Sequence, residues 1–458
     1  MLRPALALLL LAGCALQPDY QRPPVELPQA WKDSVPRDAE DGRWWRIYND
    51  TALDQLVEEA LARNSDVLVA IARVEEASAL LVGTESGLKP QVAAGASAGR
   101  SLSSSATGLL PPGAQRERDN YRAALSVSYE IDVFGRLRNA TGAARADLAA
   151  SIAVRDAVRL AIAARVARSY SALLALDAQV EVTRRALASR EESLALQRRR
   201  RDAGVTSDFD LRQFEAETAT VRAQLPPLER DRDIEEAALA VLTGRSPREV
   251  LEGAVRRLQG AQDRAIAPVV PQGLPSELLL RRPDLVEAEQ RLIASHARVA
   301  VARAAYFPSI TLSGVLGSES AELSDLFTGP AGIWSFVASL TQPIYGGGRL
   351  DAQRDAALAR ERAALALYQG SIRTAFGEVR QALVSQSRAR ESFDAQSDRV
   401  RALQETLRLA RLRYDNGVAS QLEVLDAERG LLAAETARIE ALRAQRAAVA
   451  DLFRALGG

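Results

Sequence analysis

The chain has 458 residues, with 59 Lys plus Arg balanced by 59 Asp plus Glu, so no net field points toward nucleic acid or an anionic surface. A single histidine, His296, and a single cysteine, Cys14, leave no material for a His/Cys metal cluster, a disulfide or the usual range of Ser-His-Asp chemistry. Aromatics are 5% and hydrophobic residues 47%, many of them alanine, a mix suited to long, narrow helical packing rather than a thick globular core. No catalytic constellation, metal site or cofactor motif stands out, and the chain is expected not to be an enzyme.

Residues 1–13 carry a basic residue, Arg3, then a short apolar run and small residues, which read as a secretory signal peptide. The run is too short to span a bilayer, which takes about 20 apolar residues. Leu11-Ala12-Gly13-Cys14 resembles a bacterial lipobox, so Cys14 is expected to be acylated and to begin the mature chain. The bland alternative is an incidental thiol. Ala15 stands where an Asp would resemble an inner-membrane retention signal, which favours outer-membrane delivery. Residues 14–50, with Pro18, Pro23, Pro24, Pro28 and Pro36 among Trp31, Trp44 and Trp45, read as an extended, lipid-anchored strap that aromatics can pin to a surface.

From Thr51 to about Glu85 the apolar residues follow a helical period, led by Leu53, Leu56, Val57, Ala60 and Leu61, and the helix should stop near Gly87 and Pro90. Tyr121, Ala123, Leu125, Val127, Tyr129, Ile131 and Val133 then alternate with polar or small residues, a strand apolar on one face. Its weaker, Gly-rich partner runs from Val92 to Ala98, with an exposed loop from Ser101 to Gly113 between them. The helical period returns at Leu137, and Val158, Ile162, Val166, Ser169, Leu173, Leu176, Val180, Thr183, Leu187 and Leu194 form a coiled-coil seam. About 65 residues at roughly 1.5 Å each give a rod near ~100 Å. The returning helix, Ser207 to about Leu242, contains Pro226 and Pro227, which should kink or break it, and Gly260 to Pro275 reads as a linker.

Between the outgoing and returning helices lies Arg201-Asp202-Ala203-Gly204-Val205-Thr206-Ser207, and the same turn recurs as Tyr414-Asp415-Asn416-Gly417-Val418-Ala419-Ser420. Gly204 and Gly417 sit where a helix end needs a left-handed residue. Ser207 with Asp210, and Ser420 with Glu423, have capping-box spacing or a close variant of it. The repetition extends further: Asn64-Ser65-Asp66 corresponds to Arg282-Pro283-Asp284 and Lys89-Pro90 to Phe307-Pro308 at an offset of 218, while the turns correspond at 213. Two structural repeats follow, 51–262 and 263–458, each with two strands that pass through Gly135 or Gly348 into a long helix. The second pair of strands contains Ile310, Leu312, Gly314, Leu316 and Trp334, Phe336, Ala338, Leu340 on their apolar faces, with Trp334 and Tyr345 near strand ends.

Strands of about ten residues that are apolar on one face suit a lipid-facing barrel, and an open sheet cannot exist in lipid. Four strands are too few to close one, since bacterial barrels start at eight. Several chains must share a barrel, with a dimer, trimer or larger ring all permitted, and helices hung from it would make a conduit.

Arg282-Pro283-Asp284-Leu285, Ala288-Glu289, Tyr306-Phe307-Pro308-Ser309-Ile310-Thr311-Leu312, Trp334, Gln342-Pro343-Ile344-Tyr345 and Gly347-Gly348-Arg349 resemble the TolC/OprM family of outer-membrane efflux lipoproteins, NodT type. Leu274-Pro275 and Cys14 with Pro18-Asp19-Tyr20 and Pro23 fit the same resemblance. It implies a mostly α fold of duplicated helical hairpins forming an α-barrel, a homotrimer sharing a 12-stranded β-barrel, and a passive exit duct for small toxic compounds. It also implies two partners, a periplasmic adaptor and an inner-membrane pump of the resistance-nodulation-division type, with contact to outer-membrane lipid and most of the chain in the periplasm. A type I secretion duct and a periplasmic coiled-coil scaffold are the alternatives.

Carried over by position, the resemblance implies a periplasmic gate of Leu422, Glu423 and Asp426, with Tyr414 and Asp210 as latch partners. Ala419 stands where some relatives carry arginine, so at least one such latch contact is missing or replaced. Glu423 and Asp210 can equally be helix caps, whereas Asp426 lies a turn beyond capping reach on the face of Glu423. Arg198 to Arg201 reads as a solvated helix end or an adaptor contact, Gly346-Gly347-Gly348 as a strand-to-helix bend, and His296 as an ordinary helix residue.

Overall fold

The computed structural model describes residues 20–24, 43–107, 113, 115–257 and 280–458. Cys14, the signal-peptide residues, Trp31 and the linker around Gly260–Pro275 lie outside the described residues. The described elements are, in chain order, α1 (Thr51–Arg63), α2 (Ser65–Ser86), β1 (Gln91–Leu102), β2 (Glu117–Ile131), α3 (Arg136–Asp202), α4 (Asp208–Leu242), α5 (Pro247–Glu252), α6 (Pro283–Ala304), β3 (Ser309–Ser320), β4 (Gly332–Thr341), α7 (Arg349–Asp415) and α8 (Gln421–Leu456). Among them no helix is long and apolar enough to cross a membrane.

The duplication is preserved in length in three pairs of elements. Helices α2 and α6 are 22 residues each and begin at 65 and 283, strands β1 and β3 are 12 each and begin at 91 and 309, and helices α3 and α7 are 67 each and begin at 136 and 349. The chain divides into two compact units, 1–25 with 73–152 and 287–369, and 26–72 with 153–286 and 370–458. Each sequence repeat contributes to both.

The first unit holds one antiparallel sheet in the order β1-β2-β3-β4. Directly paired residues share a face, so the register writes continuous rows across the sheet: Ala94, Leu125, Leu316 and Trp334, and Val92, Val127, Gly314 and Phe336. The opposite face carries rows such as Ala93, Ser126, Val315 and Ser335. The expected alternation is therefore real, yet the apolar face is uncovered within the chain: Trp334 is 80% exposed, Phe336 67% and Leu316 65%. A face that leaves Val92, Leu125, Leu316, Trp334 and Phe336 exposed is a contiguous apolar patch of the kind that marks a membrane or protein contact.

The second unit has the main core. Trp44, Trp45 and Tyr48, on a short 3₁₀ turn, pack with Leu53, Val57, Val67, Ile162, Val166, Leu173 and Val449. The strap aromatics that are described are thus pinned, as their sequence suggested. Asp50 caps α1 through Ala52 N and Leu53 N and accepts from Tyr170 Oη at 2.9 Å. The seam residues Ile162, Val166, Leu173, Val180, Thr183 and Leu194 are buried.

One expectation fails and one is narrowed. The helix expected from Thr51 to about Glu85 is two, because Asn64 is extended (φ −61°, ψ 132°), its Oδ1 accepts from Asp66 N and its Nδ2 donates to Leu242 O at 2.8 Å. A side chain that satisfies a new helix start and a distant carbonyl at once outweighs one continuous helix. Conversely, α4 runs unbroken through Pro226 and Pro227. Both prolines are exposed, as are Arg222 and Ala223, whose carbonyls lose their partners, so water can take those bonds.

Candidate functional site

The two turns are the same device built twice. Gly204 has φ +74° and Gly417 φ +71°. In the first, Gly204 N donates to Arg201 O and Val205 N to Arg200 O, both at 2.8 Å; in the second, Gly417 N donates to Tyr414 O and Val418 N to Arg413 O, both at 2.9 Å. This double closure is the Schellman pattern, which requires a left-handed residue where each glycine stands. Gly135 (φ +77°) and Gly348 (φ +81°) take the same conformation directly before α3 and α7, at the expected bends.

The helices after the turns differ. Ser207 Oγ accepts from Asp210 N at 3.1 Å while Asp210 Oδ2 accepts from Ser207 Oγ at 2.6 Å and from Ser207 N, a closed capping box. The Ser207 hydroxyl holds the Asp210 carboxyl below its ordinary range. Asp210 is thus engaged by its own helix start, and the structure does not join it to Tyr414. Ser420 makes no such bond; this corrects the expected second capping box. Glu423 instead pairs with Arg413 across the turn at 3.4 Å, a contact that outcompetes the cap because a cation stands in reach. Asp426 is 78% exposed and touches Arg429 at 3.7 Å, and Leu422 is 54% exposed. Three of the five candidates, Leu422, Glu423 and Asp426, therefore share the first turn and a half of α8 with their side chains open to solvent or to surface ion pairs.

Tyr414 joins the hairpins. Arg200 Nη1 donates to Tyr414 Oη at 2.5 Å, the guanidinium carbon lies 5.8 Å from the ring centroid, and Tyr414 Oη donates to Gln421 Oε1 at 3.1 Å. Arg200, read from sequence as one of a run forming a solvated helix end or an adaptor contact, instead contacts Tyr414 of the other hairpin. Two turns higher, Glu217 accepts from Arg190 of α3 at 3.3 Å and from Arg429 of α8 at 2.5 Å. Sequence reasoning missed Glu217, Arg190 and Arg429, since nothing local marks an ion pair between residues 212 positions apart. The apolar seal here is small: Leu194, Leu211 and Phe214 from one hairpin and Leu425 from the other. Among the described residues no group of three or more His, Cys, Asp or Glu side chains could hold a metal.

The chain matches the family described as outer membrane efflux protein over residues 56–245 and 274–458. It is 35% identical over 463 residues to the toluene efflux pump outer membrane protein TtgF of Pseudomonas putida, covering 98% of this chain and 94% of that protein. It is 32% identical to the cation efflux system protein CusC of Escherichia coli, covering 100% and 98%. Its fold is similar to the Campylobacter jejuni CmeC outer membrane channel, with a TM-score of 0.88 and 25% identity over 97% of this chain and 95% of that one.

Proposed function

From the premise that the chain belongs to the outer membrane efflux protein family, we propose that three copies form the exit duct of a tripartite efflux assembly, sharing a 12-stranded barrel and opening at the paired hairpin turns. The observation that carries this reading is the open four-stranded sheet, apolar and uncovered on one face, with each of its strand pairs continuing through a left-handed glycine into a 67-residue helix. In lipid each sheet edge must find another strand, and three chains supply a closed ring. Cys14 anchors the chain to the outer membrane, the helices stand in the periplasm, and an adaptor with a resistance-nodulation-division pump engages and opens the tip. The duct performs no chemistry. Leu422, Glu423 and Asp426 line the closed constriction, where three copies of the carboxylates favour cations, while Tyr414, with Arg200, and Asp210 stabilise the tip around it.

Single-channel recording in planar bilayers tests this. Wild-type protein is expected to give a small, cation-selective conductance, and Glu423→Ala with Asp426→Ala a larger, less selective one. Absence of a trimer-sized pore would sink the duct, and an unchanged conductance in the double variant would sink the gate assignment alone.

A further inference from the structure

A duct selects by the charges on its wall, and the sheet register decides which side chains form that wall. Opposite the exposed apolar face, paired rows such as Ala93, Ser126, Val315 and Ser335 are small and uncharged. Four charged residues of β1–β4 fall on this second face: Glu130 where the strands join the helices, and Arg118, Arg122 and Glu319 at the other end, beside the loops. Glu130 is matched by Arg136, Nη2 to Oε2 at 2.7 Å. The loop end is not matched in this way.

There Arg122 lies 3.9 Å from Glu319, and Asn120 Nδ2 donates to Glu319 Oε1 at 3.1 Å, so the one carboxylate on this rim is already engaged. Arg118 stands opposite Ser101 in the ladder, is exposed, and has no acidic partner among the described residues. Ser103 N donates to Arg116 O at 2.8 Å, which carries the ladder one rung past Glu117 and sets Arg116 on the face of Arg118. Arg116 is exposed too, and its Nε donates at 3.3 Å to a neutral carbonyl, Ser103 O. Three arginines against one glutamate leave two uncompensated cations per chain. Facing them, β1 offers Ser97, Gly99 and Ser101, which carry no charge. The apolar face treats the same level differently: Arg100 is held by Asp119 in a bidentate pair at 2.6 and 2.7 Å, with Glu117 at 3.9 Å. Cations are thus neutralised on the apolar face and left bare on the other.

We infer that Arg116 and Arg118 form an anion-attracting collar at the loop end of the barrel lumen, opposite in sign to the carboxylates of the tip. The inference rests on the reading of three copies as one closed barrel. Twelve strands about 4.8 Å apart and tilted about 40° enclose a radius of about 12 Å. The screening length is about 10 Å at 0.1 M salt and about 30 Å at 0.01 M, so the potential of the rim is felt at the axis. Small carboxylates, sulfates and phosphates are concentrated there and cations are repelled. Rings of opposite sign hinder leakage of either kind of ion and leave uncharged and zwitterionic compounds free to pass.

The test is the ionic selectivity of the full-length oligomer in planar bilayers, read as the reversal potential in a KCl gradient. It is measured in wild type and in the Glu423→Ala with Asp426→Ala background. At about 0.01 M salt, Arg116→Gln with Arg118→Gln is expected to lower the chloride-to-potassium permeability ratio about threefold in either background, and at about 1 M, where the screening length is about 3 Å, to leave it unchanged. Arg118→Gln alone should give about half of that effect, and serves if the pair fails to assemble. Glu319→Gln releases Arg122 and should shift the ratio the other way. Glu322→Gln with Asp325→Asn removes the acids of the β3–β4 loop and should move the ratio less than the arginine pair does. An unchanged ratio at low salt in the arginine variants, or a larger shift from the loop acids, would overturn the collar alone. Absence of a trimer-sized pore in wild type would overturn the barrel, and the collar with it.

Discussion

Arg200 holds Tyr414 by both its polar and its aromatic side: the guanidinium donates to the phenol oxygen at 2.5 Å and lies 5.8 Å from the ring centroid. The last turn of one long helix thereby grips the last turn of the other, at residues 214 positions apart. Among the described residues, the buried apolar cluster that joins the same two hairpins is Leu194, Leu211, Phe214 and Leu425.

Breaking that grip should loosen the tip. Arg200→Ala and Tyr414→Ala are each expected to raise the closed-state conductance several-fold, with a coupling of about 1–2 kcal/mol in a double-mutant cycle. Tyr414→Phe keeps the ring and should have the smaller effect. Additive single effects would count against a direct link.

The ion pairs at Glu217 make an asymmetric prediction. Arg429 is 55% exposed, so Arg429→Ala should cost about 0–1 kcal/mol of stability. Arg190 is 4% exposed and depends on Glu217, so Glu217→Ala strands a buried cation and should cost about 3–5 kcal/mol. Thermal denaturation of the purified oligomer checks the order; equal losses would show that Glu217 is not the hub.

Acid should reach the first turn late. The Ser207 hydroxyl depresses the Asp210 carboxyl, and a group whose folded pKa lies below its unfolded one contributes stability that is present above the unfolded value and lost as pH falls through the folded value. Hydrogen exchange over residues 205–212 should stay protected through mildly acidic pH and open only below the ordinary carboxylate range. Ser207→Ala should move that opening to higher pH, and Asp210→Asn should abolish the pH dependence while lowering protection at neutral pH.

Two glycines on β3 should behave oppositely. A Cβ at Gly317 would stand 2.3 Å from Ala123 O and 2.5 Å from Ala124 Cα, backbone that cannot yield without moving β2. At Gly314 the nearest atom is Ser335 O at 3.9 Å. Gly317→Ala should therefore abolish heat-stable oligomers, and Gly314→Ala should leave them within about 1 kcal/mol of wild-type stability.

Periodicity determined most of the fold from the sequence. Positions 218 or 213 residues apart predicted which elements correspond, the strict alternation in β2, β3 and β4 predicted one apolar sheet face, and Gly204, Gly417, Gly135 and Gly348 marked where left-handed backbone was needed. These are properties of a residue and its near neighbours, and a single sequence displays them. What the tertiary structure alone decided depends on groups brought together from afar. Asn64 splits a helix because Leu242 O is waiting for its amide. Pro226 and Pro227 fail to break one because their side faces water. Ser420 leaves its cap unmade while Glu423 reaches Arg413, and Arg200 leaves solvent for Tyr414. The bidentate pair of Arg22 with Glu289 joins residues 267 positions apart. Charge pairing carries no periodicity and tolerates any sequence separation, so only the folded chain could say which arginine meets which acid.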